Sequence, residues 1–173
     1  CCGNIFGQEK NVVNSAIAKM NLFLHGASDF NIMQGDTLRN PKILQGGEVA
    51  KFDCVIANPP FSLEKWGSVE WSSDKYGRNI WGTPSDSCGD YAWIQHMIAS
   101  MAPGKGRMAV VMPQGVLFRG NEEGRIREKL VKSDMVAAVV TLGDKLFYGT
   151  GLSPCFLIIR KMKPAAHSAR ILM

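Results

Sequence analysis

Apolar positions along this chain switch between short continuous runs and a helical spacing, and the alternation outlines its elements. Asn4 to Gln8 reads as a short strand ending at Glu9. Val13, Ile17, Met20 and Leu24 then fall on one helical stripe, and Gly26 after His25 can terminate that helix. Asn31 to Gln34 is a second short strand with Gly35-Asp36-Thr37 as its exit turn, residues 39–51 are a polar connection, and Phe52 to Ala57 is a third strand. Residues 62–89 keep no clear period. Tyr91, Ile94, Met97, Ile98 and Met101 return to helical spacing until Pro103-Gly104 stops them, and Arg107 to Met112 is a strand closed by Pro113. Asn121 is the expected N-cap of a helix running to Lys132, with Glu122 and Glu123 in its first turn. Met135 to Leu142 and Pro154 to Arg160 are two further strands. Strand and helix alternate until this last pair, which predicts an α/β fold, mostly parallel, with an antiparallel strand near one edge.

The 173 residues, 46% apolar, suffice for one domain with a real core. No apolar run approaches the roughly 20 residues that span a bilayer, and the reading is a cytoplasmic protein without a membrane partner. Cys1, Cys2, Cys54, Cys88 and Cys155 form no C-x-x-C pair and have no His at metal spacing, so they read as reduced thiols with no metal site. The net charge of +5 gathers in residues 105–173, which hold twelve basic and five acidic side chains. That excess suits a polyanionic partner, although Arg125, Arg127, Lys129 and Lys132 share one amphipathic segment and suit a solvated helix equally well. The chain opens on Cys1-Cys2-Gly3 and closes on the apolar Arg170-Ile171-Leu172-Met173, so it is expected to be a piece of a larger protein.

Chemistry enters at Ala57-Asn58-Pro59-Pro60-Phe61-Ser62. Two prolines cannot continue a ladder, so rigid backbone must stand at the carboxyl end of the third strand, the edge where open α/β sheets bind ligands. An Asn amide oxygen beside a Pro carbonyl gives two acceptors at fixed spacing, followed by an aromatic ring. That trio suits a flat, amine-bearing ring such as a nucleobase; an ordinary strand-ending turn is the alternative. Residues 62–89, with Trp66, Trp71, Trp81 and Tyr76, directly follow. They are expected to be either a mobile flap over a target base or a long loop anchored by its aromatics.

Asn58-Pro59-Pro60-Phe61 resembles the catalytic motif of S-adenosylmethionine-dependent methyltransferases that act on the exocyclic amine of adenine in DNA. The wider set narrows the resemblance: Phe6-Gly7-Gln8-Glu9-Lys10-Asn11, Met20-Asn21-Leu22-Phe23-Leu24-His25-Gly26 and Gly35-Asp36-Thr37-Leu38 precede it. Leu117-Phe118-Arg119-Gly120 and Leu146-Phe147-Tyr148-Gly149-Thr150-Gly151 follow. In this order they look like the modification subunit of a type I restriction–modification system.

The resemblance implies a Rossmann-like methyltransferase sheet with an antiparallel edge strand. Residues 1–163 would be a partial catalytic domain and 164–173 the start of a following segment. Glu9 would bind the ribose hydroxyls of S-adenosylmethionine, with pairing to Lys10 or solvent as the alternative. Asp36 would bind the cofactor's adenine amine, with or without an Asx-turn beside Gly35. Asn58 would serve both cofactor and target, and Pro59, Pro60 and Phe61 would complete the catalytic turn. Double-stranded DNA with a flipped adenine, and specificity and restriction subunits, are the implied partners. The family carries a glycine-rich strand–turn ahead of the strand that ends on Glu9; Cys2-Gly3-Asn4 is too short for it, so that cofactor-loop strand is expected to be lacking, and self-association through an exposed sheet edge is a corollary. An RNA-base methyltransferase and a non-catalytic nucleic-acid- or subunit-binding module of the same fold are the other readings.

Overall fold

Two parallel strands, β1 (Ile5–Glu9) and β2 (Phe30–Gln34), pair with Ile5 opposite Phe30 and Glu9 opposite Gln34. They belong to a computed structural model that describes residues 4–143, 146–147 and 151–173. The expectations placed on Cys1, Cys2 and Gly3, and on Tyr148-Gly149-Thr150 of the last motif, lie outside the described residues. Between the strands runs α1 (Val12–Leu24), capped by Asn11, whose side chain accepts the Val13 and Asn14 amides. The expected stripe of Val13, Ile17, Met20 and Leu24 forms but stays exposed; Ser15 is the buried residue of this helix.

The polar connection holds a small hairpin, β3 (Leu44–Gln45) and β4 (Glu48–Val49). Gly46 and Gly47 turn it with φ of 62° and 89°, a pair of left-handed residues that glycine adopts without penalty. β5 (Cys54–Ala57) then pairs parallel with β6 (Arg107–Pro113), and a four-stranded sheet follows in the order β5-β6-β8-β7, with β7 at Val136–Thr141 and β8 at Pro154–Arg160.

β8 is antiparallel to both neighbours, so β5, β6 and β7 point one way and β8 the other. The antiparallel strand therefore lies one place in from the edge, and β7 is the outer strand. Burial accounts for this: β8 is covered along most of its length, whereas Val140 and Thr141 of β7 are exposed. Leu172 returns to the outer side of β7, exchanging hydrogen bonds with Val139 and Ala137.

Helix α2 is short (Ser68–Ser72), α3 spans Asp90–Ala99 and α4 spans Asn121–Lys132. Ile94, Ile98, Ile126 and Leu130 of α3 and α4 pack on Met108, Val110, Leu157 and Ile159 to make the main core. The Asn121 cap does not form: the residue has φ 53°, and no side chain caps α4 at Gly120. Glu123 of its first turn is instead drawn to Arg119 at 2.7 Å.

Among the described residues β1 pairs only with β2 and β5 only with β6. The ring of Phe6 on β1 lies 5.4 Å from that of Phe52, which precedes β5, and Ile56 on β5 is 76% exposed.

Candidate active site

β5 ends where the sequence says it must. Asn58 is exposed, Pro59 buried and Phe61 half-buried, so the turn is rooted by one proline and presents the amide. Ile56, Ala57 and Asn58, with Ala109 of β6 and Phe156 of β8, line an open recess of about 420 Å³. Phe61 meets Phe147 edge-on at 6.2 Å, which brings that one residue of the last motif to the turn. Ser62 leaves the turn with φ 51°, a left-handed conformation rare for residues other than glycine.

Glu9 and Asp36 stand at the carboxyl ends of the neighbouring strands β1 and β2. Glu9 Oε1 accepts the Asn11 amide at 2.7 Å. Lys10 pairs not with Glu9 but with Asp36, Nζ to Oδ2 at 2.9 Å, while Asp36 Oδ1 accepts the Leu38 and Arg39 amides at 3.1 Å each. Burial alone would raise the Asp36 carboxyl, but Lys10 and these amides outweigh it and hold it below its ordinary value. The loops leaving β2 and β5 are joined: Arg39 donates to the Lys65 carbonyl, and Arg78 to the Thr37 and Leu38 carbonyls at 2.9 Å.

Residues 62–89 are packed by their aromatics rather than left as a free flap. Trp66 and Trp71 are buried edge-to-face at 5.5 Å, forming a second cluster with Leu38 and Ala92. Gly89 permits this, since a Cβ there would stand 2.9 Å from the Trp66 ring. At the centre lies Arg78, 2% exposed, whose guanidinium stacks on Trp71 at 4.5 Å and pairs with Asp74 at 2.6 Å. Burying three indole- or guanidinium-bearing side chains, Trp66, Trp71 and Arg78, removes enough apolar area from water to order a segment that has no regular period.

A buried grouping that no sequence spacing announced sits behind the turn. Cys88, Asp90 and Glu123 bring their polar atoms within 4.8 Å of one another. Arg119, from the Leu117–Gly120 motif, pairs with both carboxylates and supplies the positive charge there. Burial, followed by the Glu123 carboxylate, pushes the Cys88 thiol up to about 12, so it stays protonated. Asp90 Oδ1 accepts the Ser62 amide at 2.8 Å. The signals that pointed here were weak: an acidic residue opening a helix and an arginine inside a motif.

The basic side chains of α4 have partners within the chain, although Arg125, Lys129 and Lys132 stay exposed. Arg125 pairs with Glu122 at 2.8 Å and Lys132 with Glu128 at 2.6 Å, while Arg127 and Lys129 donate to the Arg119 and Trp81 carbonyls. No helix among the described residues is long and apolar enough to cross a membrane.

Comparison with known proteins identifies the family. The family model for N-6 DNA methylase matches residues 3–173. The type I restriction enzyme MjaVII methylase subunit of Methanocaldococcus jannaschii is 34% identical over 176 residues, covering 97% of this chain and 29% of that protein. The EcoKI methylase subunit of Escherichia coli is 32% identical over 149 residues, covering 84% and 26%. In structure, the type I restriction–modification methyltransferase subunit from Streptococcus thermophilus superposes with a TM-score of 0.83 at 31% identity, over 92% of this chain and 34% of that one. The chain thus spans about a third or less of the length of these relatives. An α/β sheet ending in Asn-Pro-Pro-Phe, matched along almost its whole length, places this chain in the N-6 DNA methylase family, with type I restriction–modification methyltransferase subunits among its relatives.

Proposed function

We propose that this chain supplies the target-base pocket and part of the cofactor pocket of an adenine-specific DNA methyltransferase of a type I restriction–modification system. The observation that carries this reading is the Asn58–Phe61 turn: an exposed amide and a rigid proline carbonyl at the end of β5, with the Phe61 ring beside them. A target adenine leaves the duplex stack to enter such a pocket. The Asn58 amide oxygen and the Pro59 carbonyl accept its two amine hydrogens, drawing the nitrogen lone pair out of conjugation. Phe61 stacks on the base. Positioning carries most of the acceleration, because the leaving proton needs no strong base.

S-Adenosylmethionine supplies the methyl group on a sulfonium. Glu9 and Asp36 fit it as acceptors: two carboxylates at adjacent strand ends match ribose hydroxyls and an adenine amine. Because the chain spans about a third or less of its relatives' length, transfer is assigned to a polypeptide that contains it rather than to these 173 residues alone. Specificity and restriction subunits are the expected partners in the cytoplasm, and the sides of β1 and β5 that have no strand partner among the described residues are where the chain by itself would self-associate.

Labelled methyl transfer from S-adenosylmethionine to duplex DNA and to RNA, by the polypeptide carrying this chain, tests the proposal. DNA is expected to be methylated at the adenine amine, and Asn58→Ala to lose on the order of 100-fold in rate, as for loss of one positioned polar group. Equal rates for Asn58→Ala, or methylation of RNA alone, would refute it.

A further inference from the structure

Behind the Asn58–Phe61 turn lies a charged contact that stability alone does not explain. Asp90 opens α3 with 0% of its surface exposed. One of its oxygens accepts the Ser62 amide at 2.8 Å and the other accepts from Arg119 Nη2, while Arg119 Nε donates to Glu123 at 2.7 Å. A buried carboxylate–guanidinium pair recovers its desolvation cost only with close geometry, and well-packed apolar side chains often serve stability as well. What the pair does provide is direction, because a fixed acceptor holds one backbone amide in one place.

The amide it holds is the one that needs holding. Ser62 adjoins Phe61 and has φ 51°, a conformation that persists in a serine only when its surroundings impose it. Further along, the Gly89 amide donates to the Leu63 carbonyl and the Lys65 amide to the Asp86 carbonyl, both at 2.9 Å. The strand-like seam between 62–65 and 86–90 therefore ends on Asp90, at the residue next to the turn.

We propose that Asp90, oriented by Arg119, is a positioning residue for methyl transfer: it fixes the Ser62 amide and so the left-handed backbone that aims Asn58, Pro59 and Phe61. The inference rests on the methyltransferase reading above, but the clamp itself is a structural statement with its own readout.

The test combines amide hydrogen exchange on the 173-residue chain with steady-state kinetics on the polypeptide that carries it. In the wild type the Ser62 amide is expected to be protected. Asp90→Ala should speed its exchange about tenfold to a hundredfold, the worth of a hydrogen bond to a buried charge, while Val110 in β6 stays within threefold. In kinetics Asp90→Ala should lower kcat about 100-fold with KM for S-adenosylmethionine within threefold, as a misplaced reactive turn predicts. Asp90→Asn keeps an acceptor for Ser62 and should recover at least tenfold of that loss. A general loss of packing would instead speed exchange across β6 and give no such recovery.

A wild-type Ser62 amide that exchanges like an open loop overturns the clamp, a result that needs no variant to fold. So does Asp90→Ala with kcat within twofold of wild type. A wild-type polypeptide that methylates no DNA in the same assay overturns the methyltransferase reading instead, and Ser62 exchange alone then decides the clamp.

Discussion

Replacing Arg78 by methionine is the sharpest probe of how residues 62–89 are held. The guanidinium donates to Asp74 through two nitrogens and to the Thr37 and Leu38 carbonyls, and both it and Asp74 are almost fully buried. Methionine fills similar volume and keeps an apolar contact with Trp71 and Tyr76, so the change removes charge and hydrogen bonds more than packing. Breaking a buried pair from one side costs about 3–5 kcal/mol, because the remaining charge is stranded. Two orphaned carbonyls would add about 1–3 kcal/mol each if nothing relaxed. Asp74 still accepts the Tyr76 amide at 3.2 Å and the residue-78 amide at 2.8 Å, which softens the loss. About 3–5 kcal/mol is therefore the expected total, or a melting temperature lower by roughly 6–20 °C for a domain of this size. Urea unfolding followed by tryptophan fluorescence and by circular dichroism measures it, with an unchanged slope confirming that the same surface is exposed. Adding Asp74→Asn to Arg78→Met should cost less than the sum of the single changes, by about 0.5–3 kcal/mol, since the stranded charge is then gone. A loss below about 1 kcal/mol for Arg78→Met would refute the reasoning and return the segment to a loosely attached flap.

Three further outcomes follow from the geometry. Calorimetric titration with S-adenosylmethionine should show binding weakened at least tenfold in Asp36→Asn, with the melting temperature within about 3 °C, because the amide keeps the Leu38 and Arg39 bonds and loses only the charge that pairs with Lys10; unaltered affinity would remove Asp36 from the pocket. Burial, with Arg78 nearby, pushes His96 down to about 3, so the folded chain refuses a proton that the unfolded chain accepts below about pH 6.5. Stability is then fully present well above pH 6.5 and declines by about 2 kcal/mol by pH 5, a limb that His96→Gln should erase in denaturant titrations at about pH 8 and pH 5. Mass-spectrometric mapping of brief alkylation of the native chain should find Cys54, which is exposed, labelled well before Cys88 and Cys155, whose thiols burial pushes up to about 12 and about 11; early labelling at Cys88 would contradict the buried grouping around Arg119.

Period and punctuation were enough to locate most of this molecule from its sequence. Short apolar runs marked β1, β2, β5, β6, β7 and β8, helical spacing marked α1 and α3, acidic residues after Asn121 marked α4 although the Asn121 cap itself does not form, and consecutive prolines told where β5 had to stop. These are local properties: each strand or helix is written in residues a few places apart, and a Pro-Pro step ends a ladder whatever surrounds it. The same locality placed Glu9, Asp36 and Asn58 at strand ends.

Tertiary structure decided what depends on partners far along the chain. β8 sits inside the sheet rather than at its rim because its two faces find cover, which no strand pattern states. Residues 62–89 are packed because Arg78 reaches carbonyls about 40 residues away and Trp66 lies against Gly89; a Trp-rich run without period reads the same whether anchored or free. Arg119 and Asp90 meet across 29 residues, and Arg127 and Lys129 spend their charge on carbonyls of their own domain. Long-range pairings are set by where the core brings elements together, so sequence names the residues of the site while the fold determines which of them hold it in shape.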